Sequence, residues 1–265
     1  QAGVELYPDK AERSHTVAKV LEQFDDLAQK ETKLALTGRI RAIRVHGGAA
    51  FFDVMDETGR LQWFLSEDVL GAELFEQATN LYDEGDFVEG QGTVFITKKG
   101  EQSLKLDSLR LLSKSVRPVP REHFGLKDKE ARFRRRYLDL LLNDHVRSAF
   151  ATRSKLVSAL RRYLDNAGFL EVETPMLQTL PGGALARPFK THLNALDMDL
   201  FLRVAPELYL KRLLVGGFEK VYELGRNFRN EGMDASHNPE FTMLEFYWAY
   251  QNREGLMEFT ETMLS

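Results

Sequence analysis

The stretch FRNEGMDASHNPEF, residues 228–241, lies between two apolar segments and decides how this part of the chain folds. KVYELG (220–225) precedes it and FTMLEFYWAY (241–250) follows it, and both are rich in Val, Tyr, Phe or Trp. Such runs, bounded by turn residues, predict two antiparallel strands joined by a long polar loop. A short hairpin would close on Asn-Gly or Asp-Gly and would not carry so many directional hydrogen-bonding groups.

Two carboxylates, Glu223 and Glu245, interrupt these otherwise apolar strands. Carboxylates are almost never buried without a partner, so a cationic group is expected to meet them. For the polar loop itself, the alternative is an ordinary solvated segment whose charges face water.

The first part of the chain carries the pattern of a small β-barrel. Short β-like runs lie at 33–45, 49–66 and 86–112, and the turns DETGR and KKGEQ divide the last two into hairpins. A helical segment at 66–82 lies between the third and fourth predicted strands, and a Ser-capped helix is predicted over 14–28. Five strands with a helix after the third are typical of an OB-fold, which binds single-stranded nucleic acid on one face. An SH3-like barrel is the alternative.

A proline-containing segment follows the barrel and marks a domain boundary. SKSVRPVPREHFGL (113–126) has no periodicity, whereas the residues after it are helical and end at Gly168 as a C-terminal cap. We therefore predict an α+β protein. Its parts are a five-stranded OB domain with an N-terminal helix at 1–113, a linker region at 114–143, and part of an antiparallel sheet with flanking helices at 144–265.

Composition limits the function classes. The chain of 265 residues contains no Cys, which excludes disulfides and thiolate chemistry and predicts a cytoplasmic protein. No apolar run reaches the ~20 residues of a membrane span, so no membrane partner is expected. The net charge is −4, yet residues 110–162 hold fifteen Lys and Arg against five acids. This excess of ten charges indicates a surface for a polyanion, with a solvated helix face as the alternative.

The motifs of the second half resemble those of class II aminoacyl-tRNA synthetases. GFLEVETPML (168–177), with Pro175, resembles their first signature, and FRNE (228–231) resembles the second. Together with APELYLKR and HNPEFTMLEFYWAY, the resemblance narrows to the lysyl-tRNA synthetase family and covers nearly all of the chain.

The resemblance implies roles for the residues of the opening stretch. Arg229 would be catalytic, because its planar guanidinium can hold the α-phosphate of ATP and the aminoacyl carboxylate. Glu231 would read the adenine amino group, and Phe241 would stack on adenine with His237 and Asn238 beside the nucleotide. Taken singly, each residue also has an ordinary structural interpretation, such as Phe241 in a core.

The resemblance also implies a pocket for lysine. Glu245 and Tyr247 would receive the ε-ammonium and Glu207 the α-ammonium, since a buried ammonium needs anions. Gly182 and Gly183 would belong to a mobile loop over the amino acid.

In the OB domain, the resemblance implies an anticodon site formed by Arg44, Phe51 and Gln62. An aromatic ring stacks on a base, while Gln and Arg provide hydrogen bonds. Phe51 as a core residue is the alternative, and the adjacent Phe52 means that one of the two side chains points inward.

The remaining expectations concern what the family implies for the whole protein. The partners would be tRNA(Lys), L-lysine and ATP, and the helix 144–167 with the strand FLEVETP would form a homodimer interface. The third class II signature does not occur in the sequence, which begins with Gln rather than Met. We therefore expect an N-terminal portion that is inactive or severely impaired by itself, with Mg²⁺ ligands mostly beyond residue 265 and no metal ligand assigned here. Ser236 replaces an Arg found in many bacterial relatives, which leaves one fewer cation near the ATP phosphates.

Two alternative functions stay open at this point. One is a tRNA-binding fragment or paralogue without catalysis. The other is an enzyme that lysylates a protein or lipid, against which the presence of the OB domain counts.

Overall fold

The computed structural model describes residues 7–120 and 126–265, so residues 121–125 of the predicted linker and of the basic segment lie outside the described residues. The chain divides into two compact units, residues 1–123 and 124–265. Each unit is described by itself below.

The first unit is a closed β-barrel with short helices. Its elements are α1 (Val17–Glu22), α2 (Phe24–Gln29), β1 (Leu34–His46), β2 (Ala49–Met55), β3 (Arg60–Ser66), α3 (Glu67–Leu70), α4 (Ala72–Leu81), β4 (Phe87–Ile96) and β5 (Gln102–Ser113). The strands follow one another around the barrel in the order β1-β2-β3-β5-β4, and only β3 and β5 pair in parallel. The predicted five-stranded barrel with a helical segment between the third and fourth strands is therefore confirmed.

Alternation along the strands fills the barrel. Phe52 and Trp63 are fully buried and lie opposite each other on β2 and β3, while their neighbours Phe51 and Phe64 point to the other face. Gly92 is required where β4 crosses β5, because a Cβ there would lie 1.9 Å from the carbonyl oxygen of Lys105. Because Phe52 fills the core, the face of β2 that carries Phe51 is the one left for a ligand.

The N-terminal helix differs from the prediction. The segment forms two short helices that break at Gln23, and the side chain that caps α1 is Thr16, which accepts from the Lys19 N–H. Ser14 instead exchanges hydrogen bonds with Ala35 on β1, at 3.1 and 3.0 Å. The predicted Ser cap is wrong because a strand competes for that hydroxyl group.

The second unit combines helices with two small sheets. Its elements are α5 (Lys129–Arg134), α6 (Arg136–Leu142), α7 (Asp144–Asn166), β6 (Leu170–Glu171), β7 (Leu177–Gln178), β8 (Lys190–Leu193), β9 (Met198–Leu202), α8 (Glu207–Val215), β10 (Lys220–Phe228), β11 (Glu240–Trp248) and α9 (Arg253–Leu264). Among the described residues one sheet has the order β11-β10-β6 and the other β7-β9-β8. After α7, Gly168 adopts a φ of +81°, as a C-terminal glycine cap does.

The junction of α5, α6 and α7 is held by one buried carboxylate. Asp139 is fully buried and accepts from Arg132 at 2.7 Å, from Asn143 at 2.6 Å and from Arg136. Burial alone would raise the pKa of Asp139, but hydrogen bonds from Asn143 and Arg132 and the nearby guanidinium charges outweigh it and lower the pKa. Two of the basic residues of the segment 110–162, Arg132 and Arg136, therefore stabilise the fold through Asp139.

The predicted domain boundaries stay a prediction. The segment predicted as a linker contains α5 and α6, and both belong to the second unit. Throughout the part of the chain that the structure describes, no helix has the length and apolar character needed to cross a membrane.

Candidate functional site

The β10–β11 hairpin separates two chemically different faces. Its residues pair in register from Lys220↔Trp248 to Phe228↔Glu240. On one face Tyr222, Leu244 and Phe246 pack with Leu164 and Phe169 in an aromatic core. Because side chains alternate along a strand, the opposite face carries a different set, namely Val221, Glu223, Gly225, Asn227, Phe241, Met243, Glu245 and Tyr247. We call this set the polar face of the hairpin.

Arg229 and Phe241 meet at the loop end of the polar face. The Arg229 guanidinium carbon lies 5.1 Å from the centroid of the Phe241 ring, within the range of a cation–π contact. The backbone N–H of Arg229 donates to Pro239 at 2.8 Å, which continues the strand pairing by one step. The side chain of Arg229 is therefore positioned by a strand end rather than by a free loop.

Glu245 and Tyr247 form a hydrogen-bonded pair farther along the polar face. The Tyr247 hydroxyl donates to Glu245 Oε1 at 2.7 Å, and both residues are partly buried. Burial, the bond to Glu245 and the charge of Glu207 together raise the pKa of Tyr247 well above its ordinary value. Tyr247 therefore stays a neutral donor, and Glu207 is near enough to act on it.

Glu207 opens helix α8 beside the glycine loop. A Cβ on Gly183, which has a φ of +87°, would lie 2.9 Å from Glu207 Cβ. One on Gly182 would lie 2.5 Å from Leu208 Cδ1. The structure thus brings both predicted glycines against the start of α8. In addition, Lys211 Nζ lies 2.5 Å from Glu207 Oε1 and 5.9 Å from the Tyr247 ring centroid.

The two strand carboxylates have different partners. Glu223 is buried and ion-paired to Arg203, which is fully buried, and Thr174 donates to its second oxygen at 2.6 Å. Gly225 leaves room for this guanidinium, because a Cβ there would lie 2.4 Å from Arg203 Nη2. Among the described residues Glu245 has no such ion pair. The expected cation of Glu223 is therefore an internal residue that sequence reasoning missed.

The remaining residues predicted for nucleotide binding, Glu231, His237 and Asn238, are exposed in the 229–239 loop. Glu231 accepts from the Arg187 N–H at 3.2 Å, and His237 Nδ1 lies 2.8 Å from Asp234. Ser236 donates to Asp234 through its N–H at 2.7 Å and its hydroxyl at 3.0 Å. Hydrogen bonds from the Ser236 backbone and the His237 side chain lower the pKa of Asp234 far below its usual range. Ser236 therefore shapes the turn.

The barrel carries a separate aromatic site. Phe51, Phe64 and Phe95 follow one another across three strands, with ring centroids 5.2 and 5.6 Å apart. They line a pocket of about 470 Å³ whose other walls are Arg44, His46, Gln62, Thr97, Lys98, Lys99 and Glu101. Phe64 and Phe95 were not predicted, although the alternation with buried Trp63 would have indicated Phe64.

The polar groups of this pocket are already oriented. Arg44 donates to both oxygens of Asp53 at 3.1 Å, and Gln62 accepts from the Ser103 hydroxyl at 3.0 Å. The structure thus brings all three predicted residues together on one barrel face. Elsewhere too, within residues 7–120 and 126–265, no group of three or more His, Asp or Glu side chains converges in a way that could hold a metal ion.

Each of the two units matches a known protein family. Residues 34–112 match the OB-fold nucleic acid binding domain, and residues 128–265 match the class II tRNA synthetases of the D, K and N group. The chain therefore belongs to the class II tRNA synthetases.

Within that class, the resemblance is to the lysyl branch. The chain is similar to lysine–tRNA ligases of Idiomarina loihiensis (49% identical, covering 97% of this chain and 52% of that protein) and Carboxydothermus hydrogenoformans (51%, 99% and 53%). A third, from Thiobacillus denitrificans, is 50% identical over all of this chain and 53% of its own length. The chain spans about half the length of the curated relatives it matches.

Proposed function

We propose that this chain is part of a lysine–tRNA ligase, which activates L-lysine with ATP and transfers the lysyl group to tRNA(Lys). The observation that carries the proposal is the carboxylate of Glu245. It is partly buried, hydrogen-bonded to Tyr247 and without an ion pair among the described residues, while its neighbour across the strands, Glu223, is neutralised by Arg203. A ligand with a cationic end fits such a position, because a buried carboxylate needs a counter-charge.

The lysine would lie along the polar face of the hairpin. Its ε-ammonium would meet Glu245 and Tyr247, its α-ammonium Glu207 beside Gly183, and its carboxylate Arg229. Glu207 is at present paired with Lys211, so the substrate would share or replace that contact. Two carboxylates for two ammonium groups give selectivity for a diamino acid over a neutral side chain.

ATP would occupy the loop end of the same face. Phe241 would stack on adenine, Glu231 would accept from its amino group, and His237 and Asn238 would lie beside the nucleotide. In the first step a lysine carboxylate oxygen attacks the α-phosphorus in line, forming the acyl–phosphate bond while the bond to pyrophosphate breaks. Arg229 would stabilise the charge that develops on the phosphoryl oxygens, and no general base is needed.

Magnesium is expected to enter with the nucleotide. Mg²⁺ in such reactions is bound largely by substrate phosphates and water. The described residues offer no converging set of three or more metal ligands, so no step is assigned to a metal held by them.

The barrel pocket would bind the anticodon. Phe51, extended by Phe64 and Phe95, offers a stacking surface, and Gln62 and Arg44 lie at its edge. This pocket also favours the second candidate, a tRNA-binding protein without catalysis, because all of its lining residues lie in the first unit.

The deciding experiment is lysine-dependent ATP–pyrophosphate exchange, measured on this chain and on the protein at the full length of its relatives. We expect exchange in the longer protein. This chain spans about half the length of its relatives, and we expect a rate lower by more than tenfold in it, because the lack of even one preorganised hydrogen-bond donor in an active site typically costs ~10²–10³ in rate. Exchange absent from both, with tRNA binding retained, would favour the second candidate. The cytoplasmic location stays a prediction that cell fractionation would test.

A further inference from the structure

Two polar atoms at the loop end of the polar face of the hairpin are buried without a hydrogen-bond partner among the described residues. One is Oδ1 of Asn227, a residue that is 1% exposed, and the other is Nε of Arg229. An unpaired buried polar group is costly, and native structures rarely keep one without a water or ligand to satisfy it. A group that bonds to both atoms would remove the cost at both.

Strand geometry places the side chains that carry these two atoms on one face of the hairpin. Asn227 lies directly opposite Phe241 in the β10–β11 register. Arg229 follows two residues later and continues the pairing through its bond to Pro239. Because alternate residues share a face, the side chains of Asn227 and Arg229 lie on the same side as Glu245. The pair therefore borders the region that the proposed function gives to the amino acid.

The two unpaired atoms need opposite partners, since Asn227 Oδ1 needs a hydrogen-bond donor and Arg229 Nε needs an acceptor. Phosphate and carboxylate groups at neutral pH only accept, so neither satisfies Asn227. An α-amino acid carries a donor and an acceptor on one carbon, as its ammonium and its carboxylate. We infer that Asn227 is a further amino-acid-binding residue, whose amide oxygen accepts a hydrogen bond from the α-ammonium while the carboxylate accepts from Arg229 Nε.

A neutral acceptor suits this position better than a second carboxylate. Asn227 would lie beside the substrate carboxylate that Arg229 holds, where another anion would repel it. Glu207 would supply the charge for the α-ammonium and Asn227 a directional bond to another of its three N–H groups. This inference rests on the proposed function and adds a residue that fixes the orientation of the amino acid.

The test compares L-lysine with 6-aminohexanoate, which is lysine without its α-ammonium. Dissociation constants for both would be measured by calorimetry without ATP, in the protein at the full length of its relatives. In Asn227→Leu the constant for lysine is expected to rise about tenfold, while that for 6-aminohexanoate changes less than about threefold. In Asn227→Asp the preference for lysine is retained, because the acceptor remains and repulsion of the carboxylate affects both ligands alike.

Asn194→Leu, on an exposed turn, serves as the control and should leave the preference unchanged. An unchanged preference in Asn227→Leu would overturn the inference, as would equal weakening of both ligands or a loss of preference in Asn227→Asp. If Asn227→Leu does not fold, Asn227→Ala, which also lacks the amide oxygen, takes its place with the same expected changes in the two dissociation constants. A wild-type protein that neither binds lysine nor catalyses the exchange would refute the proposed function instead.

Discussion

At the scale of single residues, Glu223 and Glu245 show how one strand pair holds two carboxylates for different purposes. They lie opposite each other in the register, yet only Glu223 has an internal cation, Arg203. An ion pair with a fully buried guanidinium stabilises the fold, whereas the Glu245 carboxylate, whose partner among the described residues is the Tyr247 hydroxyl, remains available to a cation. We therefore expect Glu223 to stabilise the fold and Glu245 to be the carboxylate that meets a cationic ligand.

Glu245→Gln should therefore weaken lysine binding much more than ATP binding. The neutral amide keeps a similar shape but removes the counter-charge of the ε-ammonium, at a cost of about 2–5 kcal/mol in lysine affinity. Calorimetry with each ligand separately measures the two effects in the full-length protein. Glu240→Gln is a control, because Glu240 is exposed and pairs with Arg226 at 3.4 Å. Equal losses for lysine and ATP would contradict the assignment.

Sequence patterns predicted the two strands and their carboxylates but could not assign the internal partners of these carboxylates. The carboxylates at 223 and 245 were visible as interruptions of apolar runs, and the resemblance supplied roles for Glu245 and Arg229. The Arg203–Glu223 pair was not foreseen, because the two residues are separated by helix α8 and nothing in their spacing reports a distance. The unsatisfied atoms of Asn227 and Arg229 likewise depend on packing, which exists only in the folded chain.

At the scale of elements, strand β2 shows how alternation separates the barrel core from the aromatic pocket on the other face. Phe52 is fully buried in the barrel, while its neighbour Phe51 contacts Phe64 in the pocket. Phe51→Ala should therefore weaken tRNA binding by ~1–3 kcal/mol and leave lysine-dependent exchange intact. Phe52→Ala, the matched variant, should instead destabilise the fold by about 3–5 kcal/mol.

Filter binding with tRNA and chemical unfolding of each variant separate the two effects. If Phe51→Ala unfolds as readily as Phe52→Ala, Phe51 is a core residue and the pocket assignment is wrong.

The junction of α5, α6 and α7 should give the second unit an acid-sensitive component of stability. The folded state lowers the pKa of Asp139, so its contribution is present above the unfolded pKa, about 3.9, and is lost as the pH falls through the lower folded value. Asp139→Asn removes the charge at any pH and leaves Arg132 and Arg136 without their counter-ion. Because these two side chains are still partly exposed to water, the cost is about 1–3 kcal/mol near neutral pH.

Urea unfolding of the wild type and of Asp139→Asn at several pH values checks this sign. The difference between their free energies of unfolding should shrink as the pH falls below about 4. A difference that stays constant with pH would show that the charge of Asp139 does not stabilise the junction.

The elements themselves were largely predictable because their signals are local. Turn residues and alternation predicted the barrel strands, and Gly168 predicted the end of α7. The break between α1 and α2 was missed, since it depends on Thr16 capping the first turn while Ser14 bonds to strand β1. Phe64 and Phe95 join the aromatic row only through pairing between strands, which a single run of sequence does not show.

At the scale of the whole molecule, the two units are predicted to divide recognition between them. The barrel holds a pocket suited to stacked bases, and the second unit holds the polar face of the hairpin. Residues 128–265 of this chain match the class II synthetase family, and the relatives are about twice as long as this chain. Because the pocket and the polar face lie in different units, we expect tRNA binding by the first unit to be separable from lysine activation by the second.

The last prediction concerns assembly through helix α7. Its apolar stripe includes Leu164, which is fully buried against the hairpin, and Leu156, which is 56% exposed. The resemblance to class II synthetases implies an interface along this helix, and we expect a two-fold homodimer in the protein at the full length of its relatives. Leu156→Glu should place a charge in that interface and shift the mass measured by light scattering at micromolar concentration from dimer to monomer. Leu196→Glu, at a leucine of the β8–β9 turn that is 68% exposed, should leave the dimer intact. A wild-type protein of monomer mass under these conditions would refute the dimer, and a dimer that survives Leu156→Glu would place the interface elsewhere.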